Sequence, residues 1–257
     1  MFRITFLFFF LLNFHLFSQS SKEFDFAYSL FQSKQYSSAQ LLFKKMQNLG
    51  ESNQYIDYYH AKCSKELFLE DAIVLYEKLL EKYPSTLLID EVHEDMALIY
   101  FRQKEYVQAI LYLEKIPTLN THLTFKLAYA NFCIESYVES SYYFHKIINI
   151  KSKYSSTSRY YYAYICYKQG KYKTAIDHFI KLVDDKEFGS IVPYYITQIY
   201  FLQQEYHKLI FFAEPIIENV IPSRITEMNR FLAESYYRVE DYNNAIVYFN
   251  KFFQIKF

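Results

Sequence analysis

The 257-residue chain carries 28 basic and 28 acidic residues, so no whole-chain field draws it to nucleic acid or to an anionic membrane. Its hydrophobic fraction of 52% supports a sizeable core and excludes a compositionally disordered chain. Three glycines and five prolines are too few for a fold with many tight β-turns, so helices are expected throughout. In chain order, the first element is MFRITFLFFFLLNFHLFSQS, with one charge at Arg3, an apolar run from Ile4 to Phe17 and small polar residues after it. This order predicts a signal peptide over residues 1–20 with cleavage near Ser20 or Ser18. The run spans 14 residues and is interrupted by Thr5, Asn13 and His15, whereas a bilayer needs about 20 apolar residues. The mature form is therefore expected to have no stable membrane span, to be exported, and to reside in the periplasm. No cysteine lies near the cleavage site, so a lipoprotein is not expected.

From residue 21 onward one grammar recurs. A small residue is followed twelve positions later by another: Ala27 and Ala39, Ala97 and Ala109, Ala128 and Ser140, Ala163 and Ala175, Ala233 and Ala245. Three residues before each second small residue stands an aromatic, namely Tyr36, Tyr106, Tyr137, Tyr172 and Tyr242. Four residues after it come Phe43, Leu113, Phe144, Phe179 and Phe249. Two further units are degenerate: Ala61 precedes Ala72 by eleven residues, and Thr197 and Leu209 replace both small residues while Tyr200 and Tyr206 remain. Units centred near residues 39, 72, 109, 140, 175, 209 and 245 have a mean step close to 34.

A period near 34 built from two amphipathic helices is the mark of the tetratricopeptide repeat, or TPR. The residues that resemble it are His93, Met96, Ala97, Tyr100, Ala109 and Leu113, and again Asn229, Leu232, Ala233, Tyr236, Ala245 and Phe249. The resemblance implies an all-α, right-handed superhelical solenoid of about seven helix-turn-helix repeats over residues 21–257. The pattern departs from the family in lacking its Trp, in placing Ala at the mid-helix Gly, and in mostly omitting the closing Pro. The physics of the spacing agrees. Ala163 and Ala175 mark a close helix approach, where a larger residue would cost about 1–3 kcal/mol by overpacking. Tyr172 follows Gly170 at the hairpin end, and Phe179 reaches into the next unit. Such a unit cannot bury its apolar face alone, so neighbours must stack. Thr118 to His122 and Lys151 to Ser158 read as turns between units, with no linker that would divide the mature chain into domains.

Chemical motifs are sparse. His93, Glu94 and Asp95 beside Glu91 lack the second histidine of a zincin and read as a solvated helix start with acids near the N-terminal dipole. His145 and His178 lie in adjacent second helices without a third ligand. No glycine-rich phosphate loop or nucleophile elbow occurs, so the chain is expected to be no enzyme and to use no cofactor or metal. Lys168, Lys171 and Lys173 read as solvated helix edges, and no nucleic-acid partner is expected. Cys63, Cys133 and Cys166 read as buried small hydrophobes, with a Cys133 to Cys166 bridge as the alternative.

The resemblance also implies that the first helix of each pair lines a groove. Helical spacing puts Phe125, Tyr129 and Phe132 on that face, then Tyr160, Tyr164 and Tyr167, then Tyr194 and Phe201. These rings are read either as a binding groove or as partly buried packing. The flanking units present Glu94 and Arg102, or Arg230, Glu234 and Arg238, instead. The Lys and Asn pair with which some TPR domains clamp a terminal carboxylate is absent. At the other end, Ile246, Phe249, Phe252 and Phe253 share a face that a following unit would cover, which predicts docking of another protein, a second copy, or further repeats. The reading is a non-catalytic scaffold or adaptor of the bacterial cell envelope that binds protein or peptide partners. The alternative is an extended polymer such as cell-wall glycan on the aromatic rows.

Overall fold

A computed structural model describes residues 22–254, all of whose regular structure is helical. The predicted signal peptide, and residues 255–257, lie outside the described residues. The chain resolves into two compact units that meet in sequence at Leu119 and Asn120.

The first unit contains α1 (22–32), α2 (Tyr36–Asn48), α3 (Gln54–Glu66), α4 (Ala72–Lys82), α5 (Ile89–Arg102) and α6 (Tyr106–Leu113). The second contains α7 (Thr121–Cys133), α8 (Tyr137–Ile147), α9 (Ser155–Lys168), α10 (Tyr172–Phe179), α11 (Val192–Leu202), α12 (Tyr206–Ala213), α13 (Pro222–Arg238) and α14 (Tyr242–Gln254). Among the described residues these helices form seven antiparallel hairpins, one for each sequence unit.

The small residues sit where the helices of each hairpin meet. Ala27 and Ala39, Ala97 and Ala109, and Ala163 and Ala175 are fully buried, as are Ala128 and Ser140. The Ser140 hydroxyl donates to the Ala128 carbonyl across the contact at 2.9 Å, which lets a polar residue occupy an alanine place. In the degenerate pair, Thr197 and Leu209 are equally buried, and the Thr197 hydroxyl has no hydrogen-bond partner among the described residues.

Each hairpin turns through one left-handed residue at a constant place, seven positions after the first small residue: Lys34, Phe68, Lys104, Glu135, Gly170, Gln204 and Glu240. The backbone around it closes as a Schellman cap. In the first hairpin Gln35 N–H donates to the Leu30 carbonyl and Lys34 N–H to that of Phe31, and the same pair recurs at Glu105 and Lys104, and at Lys171 and Gly170. Six of the seven turns therefore hold a non-glycine residue at φ between 59° and 65°. In five of those six, and at Gly170, the second helix opens two residues later on the tyrosine that marks each unit. The exception follows Phe68, where the second helix opens at Ala72, in keeping with its eleven-residue spacing.

Within each unit, successive hairpins are joined by the residue four places after the second small residue. Phe43, Tyr76, Phe144 and Phe179 are fully buried there. Cys63, Cys133 and Cys166 are free thiols. Burial raises the Cys63 thiol to a pKa of about 12, so it is inert as a nucleophile near neutrality.

Candidate interaction surface

The faces of the first helices are built by one repeated contact. In every first helix, the positions three before, one after and four after the first small residue make a row along the helix. Within each compact unit, the residue two before the next repeat's first small residue packs onto that row.

In the second unit, Tyr160, Tyr164 and Tyr167 of α9 surround Tyr195 of α11, with ring centroids at 6.3, 5.7 and 5.6 Å. Tyr195 also stacks on the buried plug Phe179 at 5.3 Å and 10°. One unit earlier, Tyr161 packs edge-on against Tyr129 and Phe132 of α7 and stacks on Phe144 at 5.4 Å and 10°. One unit later, Phe231 of α13 lies 6.4 Å from Tyr194 and 4.8 Å from Phe201. The first unit repeats the arrangement, with Tyr59 set among Phe24, Tyr28 and Phe31 and stacked on Phe43.

The predicted rings therefore pack into their neighbours while keeping an outer edge. Phe125, Tyr129, Phe132, Tyr160, Tyr164, Tyr167 and Phe201 are half-buried. Tyr194 is 6% exposed: Arg224 lies over its ring at 4.5 Å, and its hydroxyl donates to Glu227 at 2.8 Å. Phe125 is covered from the side by Tyr154, which stacks on it at 4.9 Å.

Tyr160 is covered by Phe188, which stacks on it at 4.6 Å from the loop before α11. That loop is shaped by Asp185, whose carboxylate accepts from the Glu187 and Phe188 N–H groups. Gly189 allows its close return, because a Cβ there would sit 2.6 Å from the Asp185 and Val183 carbonyl oxygens. Sequence reasoning singled out none of Tyr161, Phe188 and Tyr195. Two of them carried a signal, since Tyr161 and Tyr195 stand two residues before Ala163 and Thr197.

Burial raises the hydroxyl pKa of Tyr160, Tyr161, Tyr167 and Tyr194 above the ordinary tyrosine value, that of Tyr194 to about 12. These hydroxyls stay protonated near neutrality and act as hydrogen-bond groups. Tyr167 donates to Gln198 at 2.9 Å, and the Tyr160 and Tyr195 hydroxyls meet at 3.5 Å. The charged flank in this unit pairs internally, with Arg230 bridging Glu227 and Glu234 at 3.5 and 2.7 Å.

One joint is polar. At the place of Tyr59, Tyr161, Tyr195 and Phe231, α5 carries Asp95, and the row it packs onto in α3 is Tyr58, Lys62 and Lys65. Asp95 is 3% exposed and ion-paired with both lysines, and it accepts from the hydroxyls of Tyr76 at 2.8 Å and Tyr58 at 3.3 Å. His93 is also buried. The expectation of a solvated helix start holds for Glu91, which is exposed, holds in part for the half-buried Glu94, and fails for His93 and Asp95. The reason is register, because Asp95 falls where the next-unit contact is made.

His145 and His178 both lie against the ring of Tyr162, at 5.3 and 4.9 Å, and Arg159 approaches His178 at 3.4 Å. Among the described residues no three His, Cys, Asp or Glu side chains cluster to hold a metal, and no helix is long and apolar enough to cross a membrane. At the far end of the second unit, Ile246 is 59% and Phe253 53% exposed, while Phe249 and Phe252 are half-buried. Phe249 packs against the Tyr236 and Tyr248 core, whose hydroxyls both donate to Glu214.

Neither a protein-family model nor a curated protein matches the sequence. Solved structures do match in fold. A TPR protein from Parabacteroides merdae is 14% identical over 93% of this chain and 94% of its own, with a TM-score of 0.54. The C-terminal part of a TPR repeat-containing protein from Cytophaga hutchinsonii is 19% identical over 89% and 93%, with a TM-score of 0.58. MamA of strain AMB-1 is 18% identical over 67% of this chain and 94% of its own, with a TM-score of 0.57. With the repeat register and the seven hairpins among the described residues, these likenesses show that the chain has the fold of tetratricopeptide-repeat proteins.

Proposed function

We propose that the chain is a non-catalytic scaffold of the bacterial cell envelope that holds protein segments against the first-helix face of its second unit. The observation that carries this is the row of rings on α7 and α9, each anchored by a neighbour yet left with an accessible edge. Rings held in this way lose little side-chain freedom on binding, and tyrosine hydroxyls offer hydrogen bonds to a bound backbone. The segment that fits is extended or helical and presents apolar side chains. Export to the periplasm is part of the proposal and rests on the order of residues in 1–20. The exposed Ile246 and Phe253 of α14 supply a second place for a protein partner.

A photo-crosslinking residue at Tyr164, with one at the exposed Lys173 as control, tests the face in cells. Discrete protein adducts at Tyr164 and none at Lys173 are expected. Adducts equal at both sites, or retention on purified cell-wall glycan without protein adducts, would overturn the scaffold reading.

A further inference from the structure

The first unit holds an open recess of about 390 Å³ lined by Phe24 and Tyr28 of α1 and by Asn53, Tyr55 and Tyr59 at the start of α3. Its volume lies within the roughly 300–1,000 Å³ of small-molecule sites. Four of its five lining residues are aromatic and none is charged. The rings are held by one another: Phe24 and Tyr28 are parallel at 6.2 Å, and Tyr59 packs against Tyr28 at 5.0 Å and Phe24 at 6.2 Å. Asn53 caps α3 by accepting from the N–H groups of Tyr55 and Ile56, which commits its Oδ1 inward and leaves its Nδ2 hydrogens as donors.

The rings and the N-terminal end of α3 act in the recess with opposite sign, and the rings make up most of its lining. Aromatic faces carry negative potential, and a cation within about 6 Å of a ring is attracted to it. Burial, the contact with Tyr28 and the negative charge of Glu91 together push the Tyr59 hydroxyl up to about 12. No lysine or arginine lines the recess among the described residues.

We infer that this aromatic recess binds a small quaternary ammonium alcohol such as choline, its methylated cation set among Phe24, Tyr28, Tyr55 and Tyr59 and its hydroxyl oxygen accepting from Asn53. An aromatic lining suits a methylated ammonium better than a hydrated primary one, because no carboxylate lines the recess to pair with N–H donors. The site lies in the first unit and does not depend on the protein-binding face of the second.

Titration of the full chain with choline, followed by calorimetry and by saturation transfer to the trimethylammonium proton signal, tests the inference. The neutral isostere 3,3-dimethylbutan-1-ol has the same shape without the charge and should bind about tenfold more weakly. Tyr55 is 43% exposed, so Tyr55→Ala should fold normally and lose choline affinity severalfold, while Tyr55→Phe retains it. Flotation with phosphatidylcholine vesicles separates a lipid headgroup from the free cation: choline binding without flotation supports the free ligand, and flotation that choline does not compete away overturns it. Equal binding of choline and its isostere, or no loss in Tyr55→Ala, would also overturn the inference.

Discussion

Asp95 gives the sharpest test of how the hairpins are joined. Replacing it by alanine removes the acceptor of two buried tyrosine hydroxyls, Tyr58 and Tyr76, and the partner of Lys62 and Lys65. Loss of one member of a buried ion pair costs about 3–5 kcal/mol. The lysine side chains are 26% and 15% exposed and keep a path to water, which places the cost at the lower end, near 3 kcal/mol. For a unit of about 100 residues that lowers the melting midpoint by about 15 °C. Thermal melts by far-ultraviolet circular dichroism read the shift, and hydrogen exchange should locate the lost protection in α3 to α5.

The decisive variant rebuilds the joint in the form seen at Tyr195. Lys62→Tyr, Lys65→Tyr, Tyr76→Phe and Asp95→Tyr together copy Tyr164, Tyr167, Phe179 and Tyr195, with Tyr58 already standing where Tyr160 does. A well-packed apolar replacement of a buried ion network is often neutral or stabilising, so the fourfold variant should recover most of what Asp95→Tyr alone loses. An Asp95→Ala midpoint within about 2 °C of the parent would refute the reasoning, as would a fourfold variant that melts below the single one.

Two further outcomes are expected. Lys104 holds φ 64° at a turn whose counterpart is Gly170 at 71°, and a left-handed conformation costs a non-glycine residue about 1–2 kcal/mol. Part of that gain is offset by the freer unfolded glycine, so Lys104→Gly should raise the midpoint by a few degrees and Gly170→Ala should lower it. The second outcome concerns pH. Burial lowers the folded-state pKa of His60 and His93, and the Nδ1 atom of each has no hydrogen-bond partner among the described residues. The unfolded chain therefore takes up protons first as pH falls through about 6.5. Their contribution to stability is complete above that pH and is lost as pH falls toward the depressed folded values. The midpoint should fall between pH 7.5 and 5.5, and His60→Gln should flatten that slope.

The period, the small residues and the buried plugs were legible because each is a contact within a hairpin or between repeats at a fixed sequence offset. Ala163, Ala175 and Phe179 needed only spacing to be placed. The left-handed turns were less so, since glycine marks one of them and the other six hold Lys, Phe, Lys, Glu, Gln and Glu. There the Schellman hydrogen bonds and the docking of two helices impose the conformation against local preference. Asp95 was misread for a related reason. Its neighbours Asp90, Glu91 and Glu94 suggest a solvated acidic turn, and only its offset from Ala97, the same as that of Tyr195 from Thr197, marks it as a joint residue.

That offset also changes what the aromatic row means. At each joint within a unit, the plug and the residue that covers the row are matched: Phe43 with Tyr59, Phe144 with Tyr161, Phe179 with Tyr195, and Tyr76 with Asp95, whose carboxylate takes the extra hydroxyl. In the last joint the plug shrinks to Ala213 and Phe231 fills the space beside it. The identity of each row follows the identity of its cover, as the lysines under Asp95 show. A tyrosine at 164 is thus required by Tyr195 before any ligand arrives. Truncating it to alanine removes packing and any ligand contact together, so loss of partner capture in that variant says nothing about binding by itself. An aromatic crosslinker at position 164, or Tyr164→Phe, separates the two, because each keeps an aromatic ring against Tyr195.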